Sequence, residues 1–360
     1  MAKKFILVDG VSNYNTNDAI YKKWDAASNV VVSTSSYRRT GTNSLQLAAG
    51  TSYLSKFFDI IDATTLYENT ITVGLAIKVN NTAGTTPLLT FFSFNSTTTG
   101  HANQISLILK SKEVQIITPA SVLISRSYFP VITNYKWHYL EMQLRLATTT
   151  GAISVAVDGI TYISIAHINT YYNSSYTELA GVQIGGTSIP AQFTITDIYI
   201  VAGGTQFYGP SVVDTIQPVS RGSSGPVYFT PVGQTNTYQC IDKVNLNDDA
   251  YYIEGSFYDQ ASETYNFEDL VAYTDTGYDI SVLCITIAAG TVSPGHRKLQ
   301  IRINSTVITD AYMIFSGTEY IFKQVFFETD PFYPALKPKW SVSDINVRSF
   351  GVYDTIVAYS

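Results

Sequence analysis

The stretch Ile153-Ser-Val155-Ala-Val157-Asp158-Gly159-Ile160-Thr-Tyr162 constrains the fold more than any other part of the chain. Apolar side chains recur at alternate positions before Asp158-Gly159, and an Asp-Gly pair supplies the two positive-φ positions of a type I′ turn. The segment therefore predicts a β-hairpin with one face turned to a core. The same period of two recurs in Ile105 to Leu109 and Val114 to Ile116. It predicts further strands at Thr70 to Val79, Leu88 to Phe94, Trp137 to Leu146 and Phe193 to Val201. Loops rich in Thr, Ser, Asn and Gly join these runs, as a sandwich requires. No long helical periodicity competes with this pattern. Composition agrees: 27 Tyr and 18 Phe accompany a charged fraction of only 14%, a mixture that suits strands better than helices.

Between Gly203 and Pro231 the alternation lapses into Gly, Pro and Ser, which predicts a linker over residues 206–225 separating a domain at 1–205 from one at 226–360. Alternation resumes in Ile280 to Thr286, Lys298 to Asn304 and Tyr320 to Phe327. Leu299, Ile301 and Ile303 share one face, which sends Lys298, Gln300, Arg302 and Asn304 to water or to a partner. The expected fold is all-β, with two antiparallel β-sandwich (jelly-roll) domains in tandem.

With 22 basic and 28 acidic residues the net charge is −6, and no basic run could neutralise a series of phosphates, so no nucleic-acid partner is expected. The apolar run at the start stops at Asp9, too short for a signal-peptide core. No stretch is long and apolar enough to predict membrane insertion. Cys240 and Cys284 fit no metal spacing and read as free thiols. His101, His138, His167 and His296 are scattered without metal-binding spacing. Neither a nucleophile elbow nor a phosphate loop occurs. Glu141 has no acidic partner two residues away, so it reads as a solvated strand residue, and the paired-carboxylate strand of a glycosidase is absent. These absences predict no catalytic residue and no enzymatic activity. Asn245, Asn247, Asp248 and Asp249 look like oxygen ligands, yet Ala250 and Ser256 break the calcium-loop spacing and leave a turn or capping role. Tyr171, Tyr172 and Tyr176, with Asn173, Ser174 and Ser175 between them, are the candidates for glycan or protein contact, because tyrosine faces stack on sugar rings and also serve protein interfaces.

Thr40-Gly41 before Ser44-Leu45-Gln-Leu47, the strand Thr70 to Val79, Trp137-His-Tyr139-Leu-Glu-Met142, Val155-Ala-Val157-Asp158-Gly159 and Ile195-Thr-Asp197-Ile198-Tyr199-Ile200 follow in an order that resembles concanavalin A-like, laminin-G-like jelly rolls over about residues 1–205. That resemblance implies a rim calcium with Asp158 or Asp197 as the nearest candidates. No other cofactor is expected. In the second half, Asn247-Asp-Asp249-Ala-Tyr251, Arg297 to Ile301, Phe327-Glu-Thr-Asp330-Pro331, Trp340-Ser341 and Phe350-Gly-Val352 resemble a C-terminal module of tailed-phage structural and tail proteins, with Phe332-Tyr-Pro-Ala-Leu in place of a Gly-rich segment. This second resemblance implies a non-enzymatic structural component of a bacteriophage particle, in a fibre, tail or capsid-surface appendage. It also implies a virion location, other virion proteins as partners, a symmetric homo-oligomer such as a trimer, and contact with a host-surface glycan. The alternatives are a carbohydrate-binding adhesin or lectin module and a polysaccharide depolymerase.

Overall fold

The computed structural model describes residues 4–11, 14, 17–39, 42–58, 70–81, 84–95, 98–172, 178–204, 206–224, 229–241, 252–255, 261–270, 279–291, 296–316, 318, 320–332 and 339–356. The chain divides into two compact units, Met1–Asp214 and Thr215–Ser360. Both are all-β, and every pairing between their strands is antiparallel.

Unit 1 runs through β1 (Lys4–Asp9), α1 (Asp18–Lys23), β2 (Ala26–Ser28), β3 (Val30–Ser33), β4 (Ser44–Leu47), β5 (Gly50–Phe57), β6 (Thr70–Val79) and β7 (Thr85–Asn95). It continues through β8 (Thr98–Lys110), β9 (Glu113–Ile117), β10 (Leu123–Arg126), β11 (Trp137–Arg145), β12 (Gly151–Val157), β13 (Ile160–Ile168), β14 (Glu178–Ile189) and β15 (Phe193–Ala202). One sheet has the order β13-β12-β11-β6-β15-β4-β3, with β1 also paired to β15, and the other has the order β10-β9-β8-β7-β14-β5-β2. Alternate residues of both sheets, among them Leu75, Ile77, Leu140, Met142, Leu89, Phe91, Leu107 and Val182, meet in one apolar core. The predicted hairpin forms as β12 and β13, with φ of +53° at Asp158 and +81° at Gly159.

Strand β15 departs from simple alternation because all ten of its residues are buried. Something covers its outer face, and the covering is part of the segment expected to be a linker: residues 208–213 lie over the first sheet inside unit 1. The end of that segment becomes a strand of unit 2.

Unit 2 contains β16 (Pro218–Ser224), β17 (Thr230–Val232), α2 (Thr237–Ile241), β18 (Tyr252–Glu254), β19 (Ser262–Phe267), β20 (Leu283–Ala289), β21 (His296–Ile303), β22 (Thr306–Ser316), β23 (Ile321–Phe327), α3 (Val342–Asn346) and β24 (Ser349–Ile356). A five-stranded sheet of order β16-β19-β24-β21-β22 accompanies the pairs β17-β18 and β20-β23. Its core gathers Ile301, Ile303, Met313, Phe315, Phe327, Trp340, Ile345 and Phe350. Arg302 departs from the expectation of a solvated face: it is buried and its Nη1 donates to Ser262 Oγ at 2.6 Å. Cys240 is buried in α2 and Cys284 is half-buried in β20; neither forms a disulfide.

Asp330, from the Asp-Pro phrase singled out in the sequence, is fully buried and anchors this unit. Arg348 donates Nη1 to Oδ1 at 2.8 Å and Nη2 to Oδ2 at 2.6 Å, and the Phe332 N–H adds a third bond at 2.9 Å. The guanidinium lies 5.1 Å from the Phe332 ring centroid and 5.2 Å from that of Trp340. Burial pushes the Asp330 carboxyl up, but the bonds from Arg348 and Phe332 outweigh it and hold the group below its ordinary value. A depressed carboxyl stabilises the fold above its unfolded pKa of about 4, and the benefit is lost as pH falls through the lower folded value. Arg348→Ala leaves this charge buried and unpaired and is expected to cost about 3–5 kcal/mol at pH 7. The deficit relative to the unsubstituted chain should shrink at pH 3, and urea unfolding at the two pH values measures it.

Candidate functional site

The outer face of the first sheet is organised by a backbone irregularity. Strand β15 bulges between Thr196 and Tyr199, and Asp197 at that point has φ of +49°. Its buried carboxylate receives Arg38 Nη1 on Oδ2 at 2.7 Å, with Arg39 Nη2 at 3.1 Å and the Val213 N–H at 2.9 Å both on Oδ1. The same arginines donate to the Ser211 and Val213 carbonyls at 2.7 and 2.9 Å. One carboxylate thus joins the segment before β4 to the segment that follows β15.

Beside this clamp lies Glu141, which is fully buried rather than solvated as the sequence suggests. Register explains why. Gly74 on β6 stands opposite Glu141 on β11 and opposite Tyr199 on β15. A Cβ on Gly74 would sit 2.1 Å from the Tyr199 ring, so only glycine lets that ring lie across β6 toward Glu141. The Tyr199 hydroxyl donates to Glu141 Oε1, which also accepts the N–H groups of Tyr208 at 2.8 Å and Gly209 at 3.0 Å. Oε2 has no hydrogen-bond partner among the described residues. Burial raises the Glu141 carboxyl above its ordinary value, against the lowering effect of these three donors. Burial likewise pushes up the phenols of Tyr139 and Tyr199, which stay neutral. This network is covered on its outer side and serves as a fastening.

Where the fastening ends, the surface becomes aromatic. Arg38 and Arg39 position the adjacent Tyr37, whose carbonyl accepts Trp137 Nε1 at 3.1 Å. Trp137 opens β11 opposite Lys78 on β6, and the Lys78 ammonium lies 5.5 Å from its ring centroid. Tyr135, at φ of +61°, is held by its N–H to the Val79 carbonyl at 2.8 Å. Tyr37 and Tyr135 are 47% and 71% exposed, while Trp137 is half-buried.

Beneath this corner, His138 Nδ1 meets Asp158 Oδ2 at 2.7 Å, and Nε2 lies 3.0 Å from Thr133 Oγ1. Hydroxyl, imidazole and carboxylate stand in the order of a nucleophile, base and orienting acid. However, the Thr133 N–H donates to Nε2 at 3.1 Å and occupies its lone pair, so the proton sits on Nδ1 toward Asp158. Asp158 Oδ1 accepts the Tyr139 N–H at 2.7 Å. The group clasps the hairpin turn to the loop that carries Tyr135.

The residues expected from sequence lie elsewhere. Tyr171 and Tyr172 follow β13 and are separated by its length from the Asp158 turn. Their N–H groups donate at 2.8 Å to Asn169 Oδ1 and Gln104 Oε1 respectively. Tyr172 is exposed and Tyr171 half-buried; Tyr176, residues 173–175 and residues 245–250 lie outside the described residues. Of the two calcium candidates, Asp158 serves His138 and Tyr139, and Asp197 is paired with two arginines. Among the described residues no group of three or more His, Cys, Asp or Glu is placed to hold a metal ion.

No protein-family model matches the sequence, and no curated protein does. Solved structures do match. The chain is similar to a carbohydrate esterase of the Shiga toxin-encoding bacteriophage phi24B at 12% identity and TM-score 0.39, covering 56% of this chain and 100% of that one. It is similar to alginate lyase Aly36B at 9% identity and TM-score 0.39, covering 54% and 95%. A Trypanosoma rangeli sialidase matches at 17% identity and TM-score 0.33 over 48% of this chain, which spans only 27% of the sialidase. Where a non-enzymatic structural part of a phage particle was expected, the matched structures bear the names carbohydrate esterase, alginate lyase and sialidase, and the non-enzymatic reading is not carried further. Similarity at this level assigns no catalytic residue to this chain.

The Glu141 network gives a test of its own. A raised carboxyl means the folded chain binds the proton more tightly than the unfolded chain. Its contribution is therefore fully present below the unfolded pKa of about 4.3 and is lost as pH rises through the folded value. Glu141→Gln keeps an acceptor at Oε1 and should remove that slope. Glu141→Ala strands three donors and is expected to cost about 2–4 kcal/mol at neutral pH. Urea melts of both variants between pH 4 and pH 7 separate the effects.

Proposed function

We propose that unit 1 binds carbohydrate on the corner formed by Tyr37, Tyr135 and Trp137. The observation that carries this reading is the tying of three aromatic residues to the framework: Trp137 Nε1 to the Tyr37 carbonyl, Tyr135 to β6, and Tyr37 to the arginines on Asp197. Rigid Tyr and Trp side chains offer large apolar faces at little entropic cost, and their polar edges suit a ligand covered in hydroxyls. Sugar rings present apolar C–H faces for such a platform. Lys78 beside Trp137 adds a donor for ring or substituent oxygens.

Among the alternatives weighed from sequence, carbohydrate binding is the one this geometry supports, and it moves the contact from Tyr171 and Tyr172 to the other end of β13. Glycan-array binding by the full chain tests it. Trp137→Ala or Tyr135→Ala should weaken a retained glycan at least about fivefold, the equivalent of roughly 1 kcal/mol, while Tyr172→Ala should leave it unchanged. Retention of no glycan, or loss caused by Tyr172→Ala alone, would overturn the reading.

A further inference from the structure

We infer that the carbohydrate bound at this corner is a polyanion, a polysaccharide bearing carboxylate or sulfate groups; the inference rests on the carbohydrate reading above and adds the charge of the ligand to it. Three lysines belong to the segments that form this corner or lead to it. Lys78 lies against Trp137, and the exposed Lys136 stands between Tyr135 and Trp137. Lys112 caps the β8-β9 turn with φ of +70° and is exposed. The Lys112 carbonyl accepts the N–H groups of Val131 and Ile132 at 2.9 and 3.2 Å, so the loop carrying Tyr135 departs from this lysine. From Ile132 to Tyr135 is at most about 11 Å of extended chain.

Among the described residues none of these lysines has a carboxylate within ion-pair distance. Several cations elsewhere are matched, Lys23 with Asp9, Lys56 with Asp25, Arg297 with Asp354 and Arg348 with Asp330. Among the described residues, Asp158 is engaged by His138 and Glu113 by Arg126. Among the described residues, a chain of net charge −6 thus presents three lysines without a paired carboxylate on the segments that carry Trp137 and Tyr135 or lead to them. Ammonium groups held in this way attract regularly spaced anions, while the rings take the apolar faces between them.

A single-stranded nucleic acid would also stack on aromatic faces, but domains that bind one by charge are usually basic, with a pI above about 9. The sequence pI here is about 5.2. The local patch suits a ligand engaged over a few residues rather than a long phosphate track.

Isothermal titration of the full chain with polygalacturonate, heparin, neutral dextran and single-stranded DNA decides the matter. Binding of polygalacturonate or heparin is expected, weakening by roughly tenfold or more between 50 mM and 500 mM NaCl as screening increases. The triple variant Lys78→Gln, Lys112→Gln, Lys136→Gln should lose most of that binding with an unchanged melting temperature, and Trp137→Ala should weaken it as well. Equal, salt-independent binding of dextran would overturn the anionic assignment and leave the carbohydrate reading intact. Binding of the anionic polymers that survives the triple variant would also overturn the assignment. Tighter binding of DNA than of either anionic polysaccharide, abolished by the triple variant, would replace the polysaccharide with a nucleic acid. No binding of any saccharide here or on a glycan array would remove both readings.

Discussion

The buried carboxylate of Asp197 is the constraint on which the outer face of unit 1 depends. A bulge gives it a left-handed backbone and turns it toward Arg38, Arg39 and the Val213 N–H. A carboxylate in such a place is tolerated only when paired and hydrogen-bonded, and removing one partner leaves the other charge uncompensated. The pairing therefore fixes two distant stretches of chain together. One leads to Tyr37 and Trp137; the other covers β15 and supplies the donors for Glu141.

Four of the six acids buried among the described residues show two ways of meeting that cost. Asp9, Asp197 and Asp330 face cations. Asp9 also accepts from the Val11 N–H, the Tyr14 hydroxyl and Trp24 Nε1, with Lys23 Nζ at 3.0 Å. Glu141 meets only neutral donors. Burial wins at Glu141 and its carboxyl rises; at Asp330 the bonds from Arg348 and Phe332 win, while at Asp354 burial raises the carboxyl in spite of Arg297.

Strands were the legible part of the sequence, because alternation reports directly which face meets a core. Thr70 to Val79 forms as read, and the Asp158-Gly159 hairpin takes its predicted turn. Alternation says nothing about a second covering. It placed Glu141 on an outward face correctly but could not show that residues 208–213 return over that face, because their Gly, Pro and Ser content looks like a linker. Arg302 misled for the same reason. The aromatic corner was hidden by separation: Tyr37 and Trp137 lie 100 residues apart. The three residues of the His138 clasp follow no recognised spacing. A local cluster such as Tyr171 to Tyr176 attracts notice, while a site assembled by topology leaves no local trace. The only early signal was Trp137 at the head of a strong strand.

The segment that covers β15 is also the route by which the chain leaves unit 1. Tension applied at Thr215 would load the Asp214 pairing with Arg39 before the Val213 bond to Asp197 and the Gly209 and Tyr208 bonds to Glu141, peeling them one after another rather than shearing them together. Peeled bonds yield at low force because each bears the load alone. Release of Val213 would also take a carbonyl from Arg39, and release of Ser211 would take one from Arg38, loosening the arginines that position Tyr37. Mechanical strain entering through this exit would therefore reach the aromatic corner before it disturbed the apolar core.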